Sequence, residues 1–252
     1  MRFVPSFRPQ TGNDEQRRLG ICINYKLQTD LPLVAITFDD GPSEGVNEDY
    51  LHSINATKTY DKYCTQKILK ILEENNAKAT FFICGEHVTE EATDTIKNIY
   101  NQGHELAVHC WQHGESVHHI PQPDLIDELM RTKRLITSIT GSPPTCMRPP
   151  RGETEAVTTQ LIFSHTGLRT ILWQETGFDW LGHDPEYSVS VIMKSLSPGS
   201  IVLLHDIYKH TPKLLELLFA EMKKKELRCT TVSDLINHSK DLNSYMAIPY
   251  RP

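Results

Sequence analysis

Two acids stand side by side at Asp39 and Asp40, in the stretch ITFDDGP. Neighbouring carboxylates repel, and crowding them at the end of a strand-like run is costly unless a cation offsets the charge. His109 and His113 follow in GHELAVHCWQH. Two histidines at i and i+4 can present both rings to one point. One carboxylate with two imidazoles makes a tripod for Zn²⁺ or another divalent transition metal, with a position open for water. The second carboxylate would be free to act as a general base on that water. Arg148 lies in RPPRG, Asp179 and Trp180 in TGFDW, and His205 in SIVLLHD. A histidine outside the tripod can give a proton to a leaving group. Metal, base and acid together suit hydrolysis of an acyl bond.

Each of these residues has an ordinary explanation when taken alone. Asp-Asp-Gly-Pro is an acceptable turn. A pair of histidines four apart carries little weight in a chain with 12 of them. Arg148 could pair with a surface acid, and His205 could be a satisfied core residue. What sets them apart is where they fall, and that depends on the elements between them.

From Leu33 onward, apolar strand-like runs alternate with stretches of helical spacing. The runs are Leu33–Phe38, Ala79–Cys84, Glu105–Val108, Leu168–Trp173, Ser200–Leu204 and Leu227–Val232, with a short one near Thr145–Met147. Between them, TQKILKILEENN, DLIDELMRTKRLITSI and HTPKLLELLFAEMKKK place apolar residues on one helical face. Lys223–Lys225 closes the last of these, where a helix C-terminus favours cations. Such alternation predicts a parallel sheet with helices outside. The expected fold class is α/β, a distorted (β/α)-barrel of about seven strands; an open doubly wound sheet is the alternative. No Gly-rich phosphate loop follows the first strand, which weighs against nucleotide binding. In a parallel barrel all C-terminal strand ends share one face, where active sites are built. Asp39, Asp40, His109, His113, Arg148, Asp179, Trp180 and His205 all follow predicted strands and therefore meet on one rim.

The bulk numbers fit one domain of this size. The chain has 252 residues, 38% of them hydrophobic, and a formal net charge of -6. That mild acidity gives no reason to expect a nucleic-acid partner. No apolar run reaches the roughly 18 residues of a membrane span. Residues 1–30 read as an irregular arm without a secretory h-region, 31–240 as the domain, and 241–252 as a tail. A segment near 43–64 is too long for an ordinary βα loop and should overhang the acidic pair. The six cysteines form no C-x-x-C pair and read mostly as buried thiols, with room for one bridge. Asn55-Ala56-Thr57 and Asn237-His238-Ser239 match the glycosylation triplet, a pattern common by chance.

In this order and at these separations, TFDDGP, GHELAVHCWQH, RPPRG and SIVLLHD resemble the motifs of the polysaccharide deacetylases, the NodB-homology domains of carbohydrate esterase family four. The fungal-type chitin deacetylases are the branch expected nearest. The resemblance covers about Leu33 to Ile236. It implies Asp39 as base, Asp40, His109 and His113 as metal ligands, His205 as acid, and Arg148 as the residue that orients Asp39. It implies an acetyl pocket lined by Leu203 and Trp180, an oxyanion donor in the Arg151 N–H, and a substrate groove that includes Pro150 and Asp179. The expected reaction removes N-acetyl groups from N-acetylglucosamine polymers such as chitin and releases acetate. The family works outside the cell or in the cell wall.

Three positions depart from the family pattern. Cys110 replaces a usual Ser or Thr, Arg151 replaces an aromatic residue, and Thr176 replaces the first Asp of D-x-x-D-W. Arg151 puts a cation near the expected metal, and Thr176 removes a carboxylate from the supporting network. Arg151, Thr176 and the overhanging 43–64 segment favour an alternative in which the metal is lost, catalysis has eroded and the chain is a carbohydrate-binding or cell-wall protein.

Overall fold

A computed structural model of the chain describes residues 20–114, 117 and 119–240. Among these residues nine strands form one sheet: β1 (Cys22–Ile23), β2 (Leu33–Asp39), β3 (Thr80–Cys84), β4 (Glu105–Cys110), β5 (Cys146–Met147), β6 (Arg169–Ile171), β7 (Glu175–Thr176), β8 (Ile201–His205) and β9 (Arg228–Thr230). The order is β1-β6-β5-β4-β3-β2-β8-β7, with β9 also on β2, and every pairing of these strands is parallel. The sheet curls into a distorted barrel, as expected, with its edges at β1 and β7.

Two strands were not anticipated. β1 lies inside the predicted N-terminal arm and pairs with β6, Cys22 opposite Thr170. Its two residues are too few to show a period. β7 is equally short and pairs with β8. Residues 1–19 of the arm and the tail, 241–252, lie outside the described residues.

The strands are buried on both faces, and their sequences therefore run apolar without alternation. β2 is buried at all seven of its positions. On its outer side, Ile36 and Phe38 pack with Ile68, Leu72 and Leu218 of the surrounding helices. Inside, Ala35, Phe82, Ala107 and Ile201 fill the lumen, and Val232, Leu235 and Ile236 plug it from below. The main helices are α2 (Cys64–Glu74), α4 (Gln122–Thr140) and α7 (Thr211–Lys224). Gly141 ends α4 with φ of 75°, the left-handed value at which glycine closes a helix. No helix among the described residues is long and apolar enough to cross a membrane. All six cysteines are free thiols, and Cys84 and Cys110 bring their sulfurs to 3.4 Å.

The long segment after Pro42 is built rather than loose. It contains α1 (Glu48–Ser53), which begins at Asn47, whose Oδ1 accepts the Tyr50 N–H at 2.8 Å. Tyr50, Leu51 and Ala56 then bury themselves against Ile207 and Tyr208, beyond the end of β8.

Candidate active site

Strand register assembles the site. In β2 and β8, Asp39 is the partner of His205, so base and acid candidates start one strand apart. Val108 pairs with Met147, which sets His109 beside Arg148. The chain turns sharply after Asp39: Asp40 has φ of 75°. A side chain at Gly41 would meet the Asp206 carboxylate at 2.2 Å, so only glycine fits that corner.

Asp40, His109 and His113 bring one ligand atom each to within 4.8 Å of one another. His109 Nε2 lies 3.3 Å from Asp40 Oδ1, and His113 Nε2 lies 3.9 Å from the same oxygen. His109 Nδ1–H donates to the Arg148 carbonyl at 2.8 Å. That bond fixes the tautomer and leaves Nε2 as the lone-pair nitrogen. Asp40 Oδ1 is buried and has no hydrogen-bond partner. Burial alone would raise the Asp40 pKa, but the positive charge that His113, His109 and His205 carry when protonated outweighs it and lowers it; with a metal bound, the cation takes over that role from the histidine protons. An ionised, unpartnered oxygen between two imidazoles is costly in a protein interior unless a cation completes it. The three residues therefore fit a divalent metal of the zinc type.

Two ion pairs flank this centre. Arg148 is wholly buried, and its Nη1 donates to Asp39 Oδ1 and to Thr37 Oγ1, both at 2.7 Å. Its Nε and Nη2 donate to the carbonyls of Ile171 and Leu172. The guanidinium sits 4.1 Å from the Phe82 ring centre, which holds it in place. On the other side, His205 Nδ1–H donates to Asp179 Oδ1 at 2.9 Å. Asp179 Oδ2 accepts from the His205 N–H at 2.7 Å and from the Thr211 hydroxyl. Burial alone would lower the His205 pKa, but the Asp179 carboxylate outweighs it and lifts the imidazole to about 9. His205 Nε2 faces inward, 4.0 Å from Asp40 Oδ2.

These groups open into a cavity of about 830 Å³. Leu203, Trp180 and Arg151 line it. Trp180 lays its ring against His205, centroids 5.3 Å apart. Two expectations need correction. Asp179 and Pro150 are buried and do not line the cavity. Asp179 is turned inward because its carboxylate is taken up by His205; Pro150 shapes the turn that carries Arg151 at φ of 60°. Arg151 reaches across the rim, where Nη2 donates to the Gly114 carbonyl at 3.2 Å. Thr176 does not touch the Arg148 network; its hydroxyl accepts from the Phe178 N–H. Neighbouring Glu175 is held by Ser195.

Sequence reasoning missed two supports. His87 is buried, and its Nδ1–H donates to the Asp40 carbonyl at 2.7 Å, bracing the left-handed turn. Asp206 lies under Gly41, and burial pushes its carboxyl up to about 8. Nothing in their spacing singles out His87; Asp206, next to His205, was at least in a conspicuous place.

Comparison with known proteins decides the family. A polysaccharide deacetylase family model matches residues 26–171. The chain belongs to the polysaccharide deacetylase family. Among its relatives is the peptidoglycan-N-acetylglucosamine deacetylase PgdA of Listeria monocytogenes, 29% identical over 202 residues. That match takes in 80% of this chain but 38% of the relative, so the chain spans under half of that protein. A chitooligosaccharide deacetylase of Bradyrhizobium is 30% identical over 69% of this chain and 71% of the relative. In three dimensions the chain resembles the Bc1960 peptidoglycan N-acetylglucosamine deacetylase solved with an N-hydroxybenzamide. The TM-score is 0.77 at 23% identity, covering 91% of this chain and 99% of the other. These relatives are deacetylases of peptidoglycan and of chitooligosaccharides and are not specifically of the fungal-type chitin deacetylase branch that the sequence led us to expect.

Proposed function

We propose that this family member is a metal-dependent hydrolase that removes N-acetyl groups from N-acetylglucosamine units, with peptidoglycan preferred over chitin as the polymer. The observation that carries the activity is the unpartnered, ionised Asp40 oxygen between two histidine nitrogens, flanked by a carboxylate on one side and an imidazolium on the other. The preference for peptidoglycan rests on relatives named for that polymer.

In this reading Asp40, His109 and His113 hold the metal, and a bound divalent ion would polarise the acetyl carbonyl and acidify water. Arg148 holds Asp39 aimed into the cavity, where Asp39 takes a proton from the attacking water. Asp179 takes the Nδ1–H of His205 and favours the imidazolium, whose Nε2–H is then available to the departing amine nitrogen. Leu203 and Trp180 give the acetyl methyl an apolar seat. The Arg151 N–H, on the left-handed turn of RPPRG, serves as an oxyanion donor.

The zinc-loaded protein should release acetate from peptidoglycan and, more slowly, from chitooligosaccharides. Asp39→Asn should keep zinc and lose turnover. Acetate release by Asp39→Asn at the parent rate would remove Asp39 as base. The alternative, a glycan-binding protein with eroded catalysis, draws on one observation: Arg151 sets a cation at the groove where the family has an aromatic ring. It predicts glycan retention without acetate release from the zinc-loaded protein.

A further inference from the structure

The short turn Asp179–Leu181 has two sides. Asp179 points inward and is taken up by His205 and Thr211. Trp180 and Leu181 are left on the outside, and Gly182, with φ of 68°, turns the chain away. Helix α6 (Pro185–Ile192) follows, with Val189 and Ile192 packed into the core. It connects the parallel strands β7 and β8 and therefore runs down from the rim. Its first turn, which carries Tyr187, stands at the level of the cavity mouth. Val191, one turn further along the same helix face, lines the cavity, as do Trp180 and Leu181.

Among the described residues, seven large apolar side chains are exposed, and three of them are Trp180, Leu181 and Tyr187. Single exposed apolar residues are ordinary; a cluster at the rim of a cavity marks a binding surface. Leu181 is 54% exposed and Tyr187 48%. The Tyr187 ring rests against His183, centroids 4.8 Å apart, which steadies it as a flat face. Asp184 and Glu186, also exposed, flank it in sequence and can accept hydrogen bonds from hydroxyl groups. A pyranose ring matches such a surface, with C–H groups on its face and hydroxyls around its edge. The catalytic cavity says where that ring comes from. A polymer with one sugar at the histidine ligands must lay its next sugars on the rim. On one side the mouth is walled by the 43–64 segment, where the Asp61 N–H donates to the Ile207 carbonyl at 2.9 Å and the Tyr60 hydroxyl to the Ser43 carbonyl at 2.6 Å. The 180–187 stretch offers the chain an apolar surface continuous with the cavity.

We infer that Leu181, His183 and Tyr187 form a sugar subsite outside the catalytic cavity, which holds a pyranose ring of the substrate chain beside the unit being deacetylated. The inference rests on the deacetylase reading for its polymer. The C–H face of the sugar lies on Tyr187 and Leu181, and the apolar area removed from water drives the contact. The subsite touches no reacting atom. Tyr187 is thus a residue of chain-length specificity and not of catalysis.

The experiment compares Tyr187→Ala and Tyr187→Phe with the full-length protein, all loaded with zinc. The probes are N-acetylglucosamine, which occupies the cavity alone, and triacetylchitotriose, its β-linked trimer. Calorimetry in an Asp39→Asn background keeps the trimer intact. With Tyr187 present, the trimer should bind more tightly than the single sugar. Tyr187→Ala should weaken trimer binding about 3–10-fold, the size of one lost stacking contact, and leave the single sugar within about twofold. Tyr187→Phe keeps the flat face and should stay within about twofold for both. With Asp39 restored, Tyr187→Ala should raise KM for the trimer by the same factor at unchanged kcat. Undiminished trimer affinity in Tyr187→Ala overturns the inference. So does an equal loss for the single sugar, since Tyr187 would then act through the cavity. So does a protein with Tyr187 intact that binds the two probes alike. A protein with Asp39 and Tyr187 intact that releases no acetate refutes the deacetylase reading instead, and the binding comparison still decides the subsite.

Discussion

On one side of the cavity, Asp179 gives both carboxylate oxygens to the protein: to the His205 ring, the His205 N–H and the Thr211 hydroxyl. On the other side, Asp40 has an oxygen that is equally buried and meets no donor. Both are acids beside histidines at strand ends, and both are almost wholly shielded from water. One is finished by the fold and the other waits for something from outside. A saturated carboxylate fixes a proton on its partner; an unsaturated one, with its neighbours' lone pairs facing it, selects a cation. The contrast assigns proton handling to one side and metal handling to the other.

Removing the unsaturated group should have the largest effect. Asp40→Ala should abolish stoichiometric zinc binding and reduce acetate release by a factor on the order of 10³ or more, because the Lewis acid goes with its ligand. The metal-free variant should be less stable than the metal-free parent at neutral pH, since the lowered pKa of Asp40 means that the histidines beside it stabilise its charge in the fold. Equal zinc occupancy in parent and variant, measured on the purified proteins, would show that the ion sits elsewhere.

Breaking the saturated side should cost less and leave zinc in place. Asp179→Asn frees the His205 ring to adopt the wrong tautomer. The rate should fall about 10²–10⁴-fold, the range expected for a lost general acid, with zinc affinity changed less than about twofold. If zinc affinity falls as far as the rate, the two sides are one unit and the contrast fails.

The same pair makes stability depend on pH in a defined direction. The folded pKa of His205 is raised to about 9 from the ordinary 6.5. The folded state then binds the proton more tightly than the unfolded chain. Its stabilising contribution is full below about 6.5 and is lost as pH rises through about 9. The size is on the order of 3 kcal/mol. Urea unfolding of the chelated parent should show this decline between those pH values, and Asp179→Asn should flatten it. A parent curve that does not fall over that window would mean that His205 is neutral in the folded protein.

Much of this contrast could be read before any coordinates, and the reasons are physical. Parallel strands buried on both faces must be continuously apolar, so β2, β3, β4 and β8 stood out. Once they are parallel, every residue just past them lies on one rim; this is why Asp40, His109, His113, Arg148 and His205 could be gathered from sequence. What stayed hidden depends on side-chain direction. Nothing in the position of Asp179 says that it turns inward to His205 and not outward to a sugar. His87 lies in a loop with no spacing relation to Asp40, which it supports through a carbonyl. β1 and β7 are held by register with longer neighbours and have no pattern of their own. The overhang of 43–64 was legible as a length, but not as the wall that packs on Tyr208.

The smallest effects are expected where this chain departs from the family pattern, and the two departures should not behave alike. Thr176 was expected to weaken the support of the catalytic groups. In the fold, Arg148 already directs its donors to Asp39, Thr37 and two carbonyls. Thr176 instead caps the turn leading to Asp179 through the Phe178 N–H. Thr176→Asp should therefore change the rate by less than about threefold, a polar swap outside the catalytic network. Thr176 and Arg151 both line the cavity, and of the two Arg151 brings a charge to it. Arg151→Tyr removes a cation that opposes the metal through solvent and adds a flat ring for a sugar to stack on. Zinc should bind somewhat more tightly, by a few-fold, because the guanidinium is exposed and screened. The gain should shrink in high salt, while the stacking gain on neutral chitooligosaccharides should not. Acetate release and zinc titration for both variants at low and high ionic strength separate the two. A salt-independent gain in zinc affinity would mean that Arg151 acts through the shape of the RPPRG turn and not through its charge.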